Sequence, residues 1–196
     1  MADLLLTVFG VLVFGLQHSG VSALRVKSRI IDRWGKSVYA RLFNLTSVAA
    51  LLFAFLLMDF WDWFYFISVP SSVNYILMLG GIALVVTGIL LSAAASRVLS
   101  VSTVADMRTD RMPELVTTGV YSRMRHPLYL ATIILLAALV LIYPFANVAA
   151  FSISLGVYVL IGAYLEERKL VLHYGQEYID YRKQAGFMLP RLRRRD

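Results

Sequence analysis

The sequence predicts an all-α, polytopic membrane protein of about five transmembrane helices, with its N-terminus outside and its C-terminus in the cytoplasm. Three observations predict it. Of 196 residues, 59% are hydrophobic and 16% are charged, which is little charge for a soluble domain of this size. Five long apolar stretches lie along the chain, and a ~30 Å hydrocarbon core needs roughly 20 helical residues to cross it. All nineteen Lys and Arg fall in three clusters, and these occupy alternate connections, the positive-inside pattern.

The first stretch runs from Leu4 to about Leu24 and is interrupted near its end by Gln17, His18 and Ser19. Asp3 stands where a secretory signal would carry a basic residue, and Arg25 and Lys27 follow, so the run is expected to be a retained helix. The second stretch spans about Leu42 to Phe66. It ends in Phe60, Trp61, Trp63, Phe64, Tyr65 and Phe66, an expected interfacial aromatic belt. The third is Val73 to about Ala95. The fourth, Pro127 to Leu141, is short for a span and is expected to tilt or to sink partly into the interface. The fifth runs from about Val148 to Leu165, and its helix is expected to continue to about Tyr174. Tyr143-Pro144 is a turn signal, which makes the last two spans a hairpin.

Six basic residues lie in 25–41 (Arg25, Lys27, Arg29, Arg33, Lys36, Arg41) and five in 97–125 (Arg97, Arg108, Arg111, Arg123, Arg125). Eight lie in 168–195 (Arg168, Lys169, Arg182, Lys183, Arg191, Arg193, Arg194, Arg195). The connection after the second span carries only Asp59 and Asp62. The expected organisation is a single integral membrane domain over 1–196. A three-span part covers 1–96. The chemistry is expected in 97–196, which comprises a loop, the hairpin and a C-terminal segment. The tail Arg191 to Arg195 is expected to touch anionic headgroups.

A net charge of +7 would suggest nucleic acid in a soluble protein. Here its placement points to the bilayer instead, and no nucleic-acid partner is expected. The absence of cysteine excludes disulfides, zinc-thiolate sites, iron–sulfur clusters and a cysteine nucleophile; no metal site is expected. The span interiors are almost clean of ionisable groups, against a transporter or channel. His18 is the exception, either a hydrogen-bonded helix contact or a substrate-facing group.

Polar chemistry concentrates in two segments on the expected cytoplasmic side. One is Thr117 to Tyr129. Pro127 suits the first turn of a helix, where no backbone donor is lost, so the fourth span starts there. Its free N–H groups form an anion site, with Arg125 and His126 just before it. The other segment is Glu166-Glu167 at the membrane edge of the fifth helix. Carboxylates there are costly unless paired or bound to a cation. Arg168 and Lys169 could be simple partners; alternatively one glutamate binds the amino group of a ligand. The two helix ends would then offer opposite charges to a zwitterionic amino-acid moiety.

Gly119-x-Tyr121-x-x-x-Arg125-His126-Pro127-x-Tyr129 resembles the core motif of the isoprenylcysteine carboxyl methyltransferase family, a superfamily shared with phospholipid and small-thiol methyltransferases. The resemblance continues through Glu166-Glu167-Arg168-Lys169-Leu170, then Gly175, Tyr178, Tyr181 and Pro190, covering about 115–192. It implies S-adenosylmethionine as methyl donor, with S-adenosylhomocysteine as product. Gly119, Tyr121, His126, Pro127, Leu128, Tyr129, Glu166, Glu167, Tyr178 and Tyr181 would form the cofactor site. Arg125, Glu167 and Arg182 would act in catalysis, the two arginines neutralising an acceptor carboxylate. No Gly-x-Gly-x-x-Gly fingerprint is present, so a soluble-type cofactor domain is not expected.

The chain has Arg182-Lys183-Gln184-Ala185-Gly186 where isoprenylcysteine enzymes tend to run with three basic residues and Val-Pro. Gln17-His18-Ser19 looks like the small-thiol branch. The expected activity is methylation of a carboxylate on a lipophilic substrate such as an isoprenylcysteine. The alternatives are a phospholipid amine or small thiol as acceptor, a non-enzymatic scaffold or carrier, or a remote sterol-type reductase. A carboxylate is ionised near neutral pH and needs no general base, whereas an amine or thiol must lose a proton, for which His18, His126 or a tyrosinate would be wanted.

Overall fold

The computed structural model describes residues 2–98 and 115–191. Arg108, Arg111 and Arg193 to Arg195 lie outside the described residues. The chain divides into two compact units, 1–74 with 143–155 and 75–142 with 156–196.

The first unit contains α1 (Ala2–Ser22), α2 (Leu24–Trp34), α3 (Lys36–Leu57) and the short α4 (Tyr65–Ser68). α1 lies against α3 at Gly10, where a Cβ would sit 2.8 Å from the Ala54 Cα. Two polar pairs extend this contact: Gln17 Nε2 donates to Thr46 Oγ1 at 2.6 Å, and His18 Nδ1 pairs with Ser47 Oγ at 3.1 Å. His18 is therefore a hydrogen-bonded helix contact in this unit, as one of the two sequence readings had it.

α2 was not foreseen, because the basic run 25–41 reads as a loop. It buries none of its residues, as suits an amphipathic helix lying in a membrane interface. Gly35, at φ 83°, separates it from α3. α3 begins before the apolar stretch does, since Lys36 and Arg41 can lay their stems along the helix and keep their charges in water. It ends at Leu57, short of the expected Phe66. Asp59 turns the chain at φ 50° and accepts a 3.1 Å bond from Trp61 Nε1. Beyond that turn, Phe60 and Tyr65 are buried against Phe145, at ring separations of 4.9 and 5.1 Å, while Trp61 and Phe64 stay exposed.

The second unit contains α5 (Tyr75–Val98), a 3₁₀ turn (Gly119–Ser122), α6 (Pro127–Ile142), the C-terminal part of α7 (Ala146–Tyr174) and α8 (Gln176–Gln184). Gly81, Gly88 and Ala95 recur every seven residues on α5, which places them on one face. Facing Gly81 and Gly88 are Ala138 and Ala131 of α6, again seven apart and both fully buried. Small residues on both sides let the backbones approach, the usual basis of helix packing in a bilayer. α6 and α7 run antiparallel in this unit: a methyl on Gly156 would touch Leu136 at 4.0 Å, and one on Gly162 would touch Tyr129 at 3.9 Å. α7 continues to Tyr174 as expected and stops at Gly175, whose φ of 55° glycine adopts without strain.

Helices α1, α3, α5 and α7 are long and apolar enough to cross a membrane. Among the described residues there is no strand, only an isolated bridge between Met124 and Gly186. α6 is apolar but has 16 residues, about 24 Å at 1.5 Å per residue. Large apolar side chains such as Ile76, Leu90, Leu16 and Leu45 stand exposed on these helices, which is the arrangement a lipid environment covers.

Candidate active site

The site is built where α6 begins and α7 loses its apolar character. Gly119 opens the segment at φ 60°, and a Cβ there would lie 2.7 Å from Val98 Cγ2. Both conformation and space require glycine. The 3₁₀ turn that follows buries Tyr121. The chain from 123 to 126 is then held by the C-terminal strap of residues 185–191. Arg125 N donates to Gly186 O at 2.9 Å, His126 N to Phe187 O at 3.1 Å, and Gly186 N to Arg123 O at 2.9 Å. Pro127 occupies the first position of α6, and the His126 carbonyl accepts the 3.0 Å bond from Leu130 N that starts the helix.

Glu166 and Glu167 are neighbours on α7, so their side chains leave the helix about 100° apart. They serve different surroundings. Glu167 is buried and ringed by donors. Arg125 Nε lies 2.8 Å from its Oε1 and Arg125 Nη2 3.0 Å from its Oε2, a bidentate pair. His126 Nε2 is 2.9 Å and Tyr178 Oη 2.6 Å from Oε1. A carboxylate can only accept, so both groups donate here. Arg182 Nε approaches Oε2 at 3.2 Å. Arg125 Nη1 turns to the Ala185 carbonyl at 2.5 Å. The buried guanidinium is thus directed onto protein groups on two sides. The partners of Glu167 are therefore not Arg168 and Lys169: Arg168 instead donates to the Tyr164 hydroxyl at 3.1 Å.

Glu166 faces a cavity of about 380 Å³. Tyr121, Arg125, His126, Pro127, Leu128, Tyr129, Tyr178 and Tyr181 line it together with Glu166. Of the sequence-derived candidates, Gly119, Glu167 and Arg182 do not line it. Gly119 shapes the turn behind it, Glu167 ties its wall together, and Arg182 stands half-exposed on the far side of that wall. Leu115, Val116, Thr132, Leu170 and Tyr174 also line the cavity. Glu166, Leu170 and Tyr174 recur at every fourth position, and Thr132 follows Tyr129 by three. Helical spacing alone would have found Leu170, Tyr174 and Thr132.

One atom of the cavity stands out. Glu166 Oε2 is buried, with no hydrogen-bond partner among the described residues. The Tyr129 hydroxyl faces the same carboxylate. An unpaired buried carboxylate oxygen costs free energy unless something donates to it or neutralises it. Its aromatic surroundings suit a cation, since ring faces attract positive charge. Burial, then the Glu166 charge, push the Tyr121 hydroxyl up to about 12. Burial pushes Tyr181 up to about 12 as well, and its hydroxyl donates to the Tyr121 carbonyl at 2.6 Å. Tyr178 is raised by burial and by its bond to Glu167. These tyrosines are hydrogen-bond donors at neutral pH, not bases.

The phospholipid methyltransferase family model matches residues 76–177, a little over half of the chain. The protein belongs to this family. The match runs from α5 through the Arg125-His126-Pro127 segment and the glutamate pair, and stops one residue before Tyr178. A methanethiol S-methyltransferase from Pseudomonas deceptionensis is 36% identical over 80 residues, 40% of this chain. That alignment covers 29% of the relative's length, so the chain spans under a third of it. No solved structure matches. Family membership and the isoprenylcysteine-type motif agree on one superfamily.

Proposed function

We propose that the protein is a membrane methyltransferase that uses S-adenosylmethionine, held in the 380 Å³ cavity. The observation that carries this reading is the unpartnered oxygen of Glu166, buried in a tyrosine-lined cavity. The donor carries an ammonium, a sulfonium and a carboxylate. Glu166 would accept from or neutralise a cationic group. The N-terminus of α6 would meet the carboxylate through its free N–H groups and partial positive charge. Tyr129, Leu128 and Thr132 would line the apolar side. When bound, the donor supplies an electrophilic methyl group. The protein's part is position and electrostatics.

Within this reading Arg125, His126, Glu167 and Tyr178 hold the wall rigid, and the strap locks the motif against it. The chemistry favours an acceptor that arrives anionic, because the cavity tyrosines keep their protons and His126 Nε2 is committed to Glu167. A carboxylate on a lipophilic molecule, such as an isoprenylcysteine, meets that condition without a base. A small thiol is the second reading, favoured by the similarity to the methanethiol enzyme; it would have to enter as thiolate. The alternating basic clusters support a site at the cytoplasmic face, with α6 as a fifth, tilted span in this reading.

Calorimetry of S-adenosylhomocysteine with the purified protein tests the cofactor site; absence of binding would refute it. Transfer of labelled methyl groups in lipid to prenylcysteine analogues, phosphatidylethanolamine and methanethiol, assayed side by side, then separates the acceptors.

A further inference from the structure

A second hollow lies behind the Arg125–Glu167 wall. It is a groove of about 680 Å³ lined by Arg125, Tyr164, Glu167, Arg168, Val171, Leu172, Arg182 and Phe187. Its charge does not cancel. Glu167 is matched by Arg125, which leaves Arg168 and Arg182 as a cationic pair. The Arg182 side chain is 47% exposed and approaches Glu167 through Nε at 3.2 Å. Arg168 lies over the Tyr164 ring at 5.0 Å and donates one bond to that hydroxyl, of the five its guanidinium can make. Beside these heads the lining is apolar: Val171, Leu172 and Phe187. Leu172 is 87% exposed, a position water does not favour for leucine. The groove also has a level. It sits along the turns of α7 directly after the apolar run ends at Leu165, where headgroups meet hydrocarbon.

We propose that this groove is a binding site for the headgroup of an anionic phospholipid from the surrounding bilayer. Arg168 and Arg182 grip the phosphate, and Leu172, Val171 and Phe187 cover the start of an acyl chain. Two guanidinium forks suit phosphate oxygens better than ammonium groups would. A free phosphate would satisfy the arginines and leave Leu172 in water. A zwitterionic lipid would bring a cation to a groove that already has an excess of them. The groove shares Arg125 with the donor cavity as a common wall, and the proposal does not depend on the methyltransferase reading.

The test uses the full chain in detergent, with phosphatidylglycerol, phosphatidylcholine or inorganic phosphate added, and reads retained lipid by native mass spectrometry. One phosphatidylglycerol is expected per chain, displaced by neither phosphatidylcholine nor millimolar phosphate. Arg168→Gln should weaken retention about tenfold and Arg168→Glu further. Leu172→Asn should weaken lipid retention through the chain contact. The melting temperature of Arg168→Gln in detergent should match the parent, which reports an intact fold. Equal retention of phosphatidylcholine, retention unchanged in both Arg168 variants, or full competition by inorganic phosphate would overturn the proposal.

Discussion

Arg125 grips Glu167 through two parallel bonds, Nε to Oε1 at 2.8 Å and Nη2 to Oε2 at 3.0 Å, joining the start of α6 to the membrane edge of α7. Both side chains are under 10% exposed. Lysine in place of Arg125 would keep the charge but lose the fork and the bond to the Ala185 carbonyl. Arg125→Lys is therefore expected to lower stability by about 2 kcal/mol, read as a fall in melting temperature in detergent. Arg182→Lys, half-exposed, should stay within about 0.5 kcal/mol. Equal melting temperatures for parent and Arg125→Lys would contradict the geometry. The loss is expected whether or not the protein is an enzyme, so this substitution reports on the wall rather than on activity.

The two glutamates should separate binding from folding. Glu167→Gln leaves the buried Arg125 without its anion and is expected to destabilise the chain by about 3 kcal/mol. Glu166→Gln relieves an unpaired buried oxygen and should leave the melting temperature unchanged or slightly higher. It should weaken S-adenosylhomocysteine about tenfold or more. If Glu166→Gln binds as tightly as the parent, the cavity does not use this carboxylate.

This division was not legible in the sequence, which treats adjacent glutamates alike. The apolar runs located α1, α5, α6 and α7 to within a few residues, because a helix in lipid must be apolar along its length. The motif brought Tyr121, His126, Tyr129 and Glu166 to one cavity because its residues sit around the start of α6 and at the end of the apolar run of α7. The strap was missed. Residues 185–191 pair with 123–126 through irregular backbone, which leaves no periodic signal. α2 was missed because eleven residues rich in Arg and Lys resemble a topological anchor, and the end of α3 was overrun because aromatic residues beyond Asp59 are as apolar as a span.

Gly10 and Gly20 share one helix and should respond in opposite ways. A Cβ on Gly10 would lie 2.8 Å from the Ala54 backbone, which cannot rotate aside, whereas nothing lies within 4 Å of one on Gly20. Gly10→Ala is expected to separate α1 from α3 at a cost of about 1–3 kcal/mol. Gly20→Ala should be neutral or stabilising by up to ~1 kcal/mol. Denaturant titrations of the two variants, followed by helix signal, check the ordering.

Alkaline stability should turn on Tyr121 and Tyr181. Burial, joined at Tyr121 by the Glu166 charge, pushes each hydroxyl up to about 12, against about 10 for a free tyrosine. The folded chain therefore keeps two protons that the unfolded chain has given up. The associated stability is whole below pH 10 and is lost as the pH climbs from 10 to 12. A flat melting temperature up to about pH 10 and a decline beyond it are expected. Tyr181→Phe removes the 2.6 Å bond to the Tyr121 carbonyl, which lowers stability near neutrality by about 1 kcal/mol and makes the alkaline decline shallower. The difference in tyrosinate absorbance between parent and variant isolates Tyr181 from the other tyrosines. A difference titration centred near 10 would show an ordinary, solvated hydroxyl and reopen the role of tyrosinate as a base. Centred near 12, it removes Tyr181 as a base near neutrality, in keeping with the proposed acceptor that brings its own negative charge.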